Sequence, residues 1–146
     1  MRTSETGRKA IQAFEGCRLA AYRCQAGVLT VGYGHTGPDV RAGTTITQAE
    51  AEALLAADLG RFERCVTDAV AVAKTLHQHE FDALVSLAFN IGTKAFVDST
   101  LVRKLNAGDY RGAAAQFTVW HNAAGAFNPG LLGRRTRELL TFVGYA

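Results

Sequence analysis

A chain of 146 residues has room for one domain, or for two small lobes sharing a helix, and is long enough to bury most of its apolar surface. Its 48% hydrophobic and 20% charged residues are ordinary for a soluble globular protein and argue against disorder, and no apolar run reaches the 18 or so residues of a membrane span. The formal charge of +3, with Arg134, Arg135 and Arg137 clustered near the C-terminus, steers towards an anionic polymer but is no nucleic-acid footprint.

Taken in order, Ser4 is a cap for a helix over residues 5 to 15, whose apolar members are Ile11, Ala13 and Phe14. Gly16 can take the left-handed conformation that stops a helix, so Glu15 should stand at the C-terminal end. The negative pole of the helix dipole disfavours ionisation of a carboxylate there, which suits a general acid. The pattern then changes to β. Ala21 to Cys24, a Gln25-Ala26-Gly27 turn and Val28 to Tyr33 read as a hairpin ended by Gly34. Alternation puts Val28, Thr30 and Gly32 on one face and Leu29, Val31 and Tyr33 on the other, so the Thr30 hydroxyl should meet a ligand rather than the apolar set.

After a turn over 36 to 39, residues 40 to 46 are expected to return as a third strand. Thr47-Gln48-Ala49-Glu50 is a capping box, opening a helix that should end near Leu59 before Gly60, with Leu54, Leu55 and Leu59 as its core stripe. Phe62, Cys65, Val66, Ala69 and Val70 continue at helical spacing and suit a bridge between lobes. A mostly apolar helix, Phe81 to Asn90, should be central to the larger lobe, with His77 and His79 exposed at its start. Helices over 100 to 106 and 110 to 120 follow, started by Ser99 and Asp109, and Trp120 is expected in the core. A loop around Asn128-Pro129 precedes a last helix.

Glu15, Cys24 and Thr30 are separated by nine and six residues, and the context Phe14-Glu15-Gly16, Tyr22, Thr30-Val31-Gly32-Tyr33-Gly34-His35-Thr36 resembles the signature of the phage-type lysozymes, glycoside hydrolase family 24, the T4-type group. Phe89-Asn90-Ile91-Gly92, Ala95-Phe96 and Ser99-Thr100-Leu101 resemble the family's second block, and residues 128 to 138 its tail. The resemblance implies an α+β lysozyme-like fold, with a small three-stranded wing lobe over 1 to 60 and a bridging helix plus helical lobe over 61 to 146. It implies cleavage of the β-1,4 bond between N-acetylmuramic acid and N-acetylglucosamine in peptidoglycan, leading to host lysis. Catalysis would fall to Glu15, Cys24 and Thr30, glycan binding to Asn90, and Arg134 would pair with the acid.

Cys24 stands where many relatives have Asp. An unassisted thiol, with a pKa near about 8.5, is mostly neutral at pH 7, and Arg23 lies on the opposite strand face, so Cys24 as base or as nucleophile is open. Some family members with Cys at the positions of Cys17 and Cys24 are held inactive by a disulfide between them, and the same pairing is available here. Cys65 is expected in the core. With three cysteines, no CxxC and no Cys/His ligand spacing, neither a metal nor a cofactor is expected. The first residues lack the apolar core of a signal peptide, which resembles the members that wait in the cytoplasm for a membrane lesion and then act at the wall. A monomer bound to glycan strands, without nucleic acid or membrane insertion, is the expected state. His35 is expected to be structural. Two rival functions are a non-catalytic peptidoglycan-binding module, disfavoured by the presence of both Glu15 and Thr30, and a lytic transglycosylase, disfavoured by the water-positioning Thr30.

Overall fold

The computed structural model describes residues 1–145 and divides into two compact units, Arg8–Gly60 and Met1–Gly7 with Arg61–Ala146. Helix α1 (Glu5–Glu15) begins in the second and ends in the first. Ser4 caps it: its hydroxyl oxygen accepts from Gly7 N–H at 3.0 Å and donates to Asp82 Oδ2, while Ser4 N–H donates to Asp82 Oδ1 at 3.0 Å. A Cβ on Gly7 would sit 2.6 Å from Asp82 Cγ, so only glycine admits that carboxylate so close to the helix.

In the Arg8–Gly60 unit, β1 (Arg18–Arg23), β2 (Leu29–Gly32) and β3 (His35–Thr36) form an antiparallel sheet in that order. Tyr22 pairs with Thr30 and Arg23 with Leu29, Thr30 with Thr36 and Val31 with His35. The third strand is therefore His35–Thr36 and not residues 40 to 46. Gly34, at φ +83°, turns the chain back directly after Tyr33, so the partner of β2 is found at once, and residues 40 to 46 are diverted to the other edge. There they make a single bridge, Ala20 to Thr45, flanked by Ala21 N–H to Thr44 O at 2.8 Å and Ile46 N–H to Leu19 O at 2.9 Å. Ile11, Val31, Tyr33, Val40, Ala51, Leu55 and Leu59 are the unit's buried apolar residues.

Helix α2 (Gln48–Ala69) opens with the expected capping box, Glu50 N–H on Thr47 Oγ1 at 3.1 Å and Thr47 N–H on Glu50 Oε1 at 3.3 Å. It runs 22 residues without a break at Gly60, correcting the expected stop. A glycine inside a helix costs roughly 1 kcal/mol against alanine, too little to end one whose apolar spacing continues through Phe62 and Val66.

In the other unit, α3 (Gln78–Ile91) is buried along most of its length, Phe81, Leu84, Val85, Leu87 and Ala88 all being at most 2% exposed. It packs on the C-terminal α7 (Pro129–Phe142), which Asn128 caps through Leu131 N–H at 3.0 Å with Pro129 in the first turn. Between them come α4 (Thr93–Val97), α5 (Thr100–Asn106) and α6 (Tyr110–Ala115), the last two capped by Ser99 and Asp109 as their side chains predict. Helix α6 stops at Ala115 and tightens into a 3₁₀ turn at Phe117–Val119 instead of running to Trp120, which is half-buried rather than core. A short hairpin, β4 (Asn122–Ala123) and β5 (Ala126–Phe127), fills a stretch for which the sequence pattern named no element. Cys65 is also only half-buried, its thiol pushed up by partial burial and then by the Asp68 charge. Among the described residues no helix is long and apolar enough to cross a membrane.

Candidate active site

Glu15 is the last residue of α1, and Gly16, at φ +69° with its N–H on Gln12 O at 3.0 Å, closes the helix there. The half-buried carboxylate lies against the tight turn between β2 and β3, since a Cβ on Gly34 would be 3.7 Å from Glu15 Oε2. The helix thus delivers the acid to the Gly-Tyr-Gly-His-Thr stretch of the same unit, as its position after the amphipathic run predicts.

The hairpin places the other two groups. Residues 24 to 28 close the β1–β2 turn, with Cys24 N–H on Val28 O at 3.0 Å and Gly27 N–H on Cys24 O at 2.8 Å. That turn aims backbone amides at the sulfur: hydrogen bonds from Val28 and then Ala26, helped by the Thr30 hydroxyl, hold the Cys24 thiol below the ordinary thiol pKa. The cause is the turn's own amides and not a neighbouring cation. Arg23 spends its guanidinium elsewhere, donating to Gly27 O at 2.9 Å.

Thr30 is 4% exposed, opposite Tyr22, and donates to Val28 O at 3.0 Å. Its hydroxyl is therefore tied back to the backbone of its own strand rather than left open on the strand face. Cys17 is exposed, with Sγ 3.8 Å from Gln48 Oε1, and Cys17, Cys24 and Cys65 are all thiols in this structure.

His35, on β3, bridges two carboxylates: Nδ1 is 2.8 Å from Asp58 Oδ2 and Nε2 is 2.9 Å from Asp39 Oδ2. It ties the strand to α2, in keeping with a structural role. Burial pulls the ring's pKa down, but the hydrogen bonds and charges of Asp58 and then Asp39 outweigh that and hold it above the ordinary histidine value. The same partner holds Asp39 below the usual carboxylate range.

The two residues expected to meet substrate from the helical region belong to the other unit. Asn90 is exposed near the end of α3, and its Oδ1 accepts from Arg135 Nη1 at 2.9 Å. Arg134 is 7% exposed on α7, with Nε on Glu138 Oε1 at 3.2 Å and Nη2 on Ser86 O at 3.4 Å. Arg135 and Glu138 were missed in the sequence. A helical spacing of three and four residues from Glu138 back to two arginines was the available signal. Burial pushes the Glu138 carboxyl up, while the two guanidiniums and the Ser86 hydroxyl pull against that.

One group of metal-ligand type occurs among the described residues, His77, His79 and Glu80, with ligand atoms within 4.8 Å of one another. Its atoms already serve the fold. The His77 ring caps the Glu80 N–H, Glu80 Oε1 accepts from His77 N–H at 2.8 Å, and His79 Nδ1 donates to Thr141 O at 2.9 Å.

A family profile described as phage lysozyme matches residues 12–138. The chain belongs to the phage lysozyme family. Its enzymatic class is accordingly that of a lysozyme, a glycoside hydrolase. It is 44% identical over 146 residues to an endolysin of Acyrthosiphon pisum secondary endosymbiont phage 1, covering 97% of this chain and 98% of that one. Among solved structures, a Salmonella phage P22 lysozyme variant superposes with a TM-score of 0.91 at 40% identity, covering 99% of both chains. The endolysin of Escherichia coli O157:H7 phage FAHEc1 gives the same TM-score at 38% identity over 100% of this chain and 96% of that one. The lysozyme's α+β architecture, with a small sheet and a larger helical part, is the one these neighbours share.

Proposed function

We propose that this phage lysozyme is an endolysin muramidase of the T4-like type, hydrolysing the β-1,4 bond from N-acetylmuramic acid to N-acetylglucosamine with a Glu-Cys-Thr set. Glu15 gives its proton to the glycosidic oxygen as the bond from the anomeric carbon breaks. The Cys24 thiolate faces the positive charge that develops on the sugar. Water accepted at Thr30 attacks the anomeric carbon and loses its proton to Cys24; alternatively the sulfur attacks first and water resolves the glycosyl–sulfur bond. The observation that carries this reading is Glu15 at the end of α1, against the β2–β3 turn, in the same unit whose β1–β2 hairpin holds Cys24 and Thr30. A binding module has no need for a proton donor there.

Asn90 and Arg134 are the substrate-binding residues of the helical part. The enzyme works as a monomer on the wall, reaching it from the host cytoplasm once the membrane is breached. Oxidation joining Cys17 to Cys24 removes the thiolate and silences the enzyme, and reductant restores it.

Digestion of purified peptidoglycan by wild type and Glu15→Gln, followed by mass analysis of the fragments, tests the reaction. Reducing N-acetylmuramic acid ends are expected from wild type, released about 10²- to 10⁴-fold more slowly by the variant. Anhydro ends would select a transglycosylase, and no release by wild type a binding module.

A further inference from the structure

Asn90 is exposed, yet its amide is held on one side by a buried clamp. Arg135, 0% exposed, donates from Nη1 to Asn90 Oδ1 at 2.9 Å. Its other face is locked on Glu138, 2% exposed, by Nη2 to Oε1 at 2.9 Å and Nε to Oε2 at 2.7 Å. Glu138 Oε1 is held in turn by the Ser86 hydroxyl at 2.6 Å and by Arg134 Nε at 3.2 Å. A guanidinium offers only donors, so the Asn90 atom it touches has to be the carbonyl oxygen. The amide group is thereby left with its two N–H donors as the part not engaged by the clamp.

We propose that Arg135 is a positioning residue for substrate binding: it fixes Asn90 so that Nδ2, a pure donor, is presented to an acceptor oxygen of the glycan. The acetamido carbonyl, the strongest neutral acceptor on these sugars, is the group it fits. This rests on Asn90 being a glycan contact. Because the clamp is buried and its carboxylate is shared among three donors, the amide is oriented before substrate arrives, and binding loses less to side-chain ordering.

The test measures the Kd of soluble, uncrosslinked peptidoglycan strands in a Glu15→Gln background, where strands bind without being turned over. Asn90→Ala and Asn90→Asp are each expected to weaken binding by about 2- to 10-fold, the worth of an ordinary hydrogen bond. The aspartate keeps the shape and an acceptor for Arg135 but has no donor for the sugar. Arg135→Lys keeps the charge and loses the fork, so it should weaken binding when Asn90 is present and add nothing once residue 90 is alanine. Asn90→Asp binding as tightly as asparagine while Asn90→Ala binds weakly would overturn the donor assignment alone. Asn90→Ala binding like the parent would overturn the glycan contact itself. An equal loss from Arg135→Lys in both backgrounds would remove its positioning role. Should the lysine variant unfold, Glu138→Gln, which keeps the shape of Arg135's other partner and removes its charge, is compared in the same two residue-90 backgrounds and read the same way.

Discussion

At the scale of single residues, the reaction proposed above asks a thiol, Cys24, to serve where the family resemblance implies a carboxylate in many members. Val28 and Ala26 amides and the Thr30 hydroxyl favour the ionised form of Cys24, so its alkylation rate should rise with pH at a midpoint below that of an ordinary thiol, about 8.5. Thr30→Val removes the hydroxyl's share of this effect and should move that midpoint upward; a pH profile for Cys24 coinciding with that of a free model thiol would refute the amide effect. Gly34→Ala should cost activity and stability together. It forces a side chain into φ +83° and brings a methyl to 3.7 Å from Glu15 Oε2, and roughly 1 kcal/mol or more of lost stability, read by denaturant unfolding, is expected from the backbone alone.

At the scale of elements, capping side chains governed much of what could be foreseen. Ser4, Thr47, Ser99 and Asp109 each open the helix that their position announces. Two of the failures share a cause, a local signal outweighed by what followed it, and a third has its own. Gly60 reads as a stop, yet the apolar spacing beyond it keeps α2 going to Ala69. Residues 40 to 46 read as a strand, yet the turn at Gly34 gives β2 a nearer partner. The β4–β5 hairpin has only two residues per strand, too few to show alternation. Gly133 offers an element-scale test in the opposite direction. It lies exposed within α7, nothing is within 4 Å of where its Cβ would be, and its φ is not left-handed, so Gly133→Ala should stabilise the protein by about 0.5–1 kcal/mol. An unchanged or lowered denaturation midpoint would count against that.

For the molecule as a whole, stability should carry a pH signature from His35. Its folded pKa is raised, so its contribution is complete below the unfolded value, about 6.5, and is lost as pH climbs through the folded value. Asp39, with a lowered pKa, has the opposite limb: its contribution is present above the ordinary aspartate range and fades on acidification. The difference in Tm between wild type and His35→Asn should therefore be larger at pH 5.5 than at pH 8. An identical difference at both would mean that shape, not charge, is what the ring supplies. The catalytic candidates were legible because they sit close together in sequence, whereas the clamp on Asn90 joins residues 45 positions apart and shows only in three dimensions. The same holds for His35, whose partner Asp58 is 23 residues away on another element.

Thr30 carries a single hydrogen, and it is already spent on the Val28 carbonyl at 3.0 Å. What the oxygen keeps for a visitor is its lone pairs. A water drawn to it in the proposed reaction would therefore arrive by giving a hydrogen and would hold its own electron pairs in reserve for the anomeric carbon.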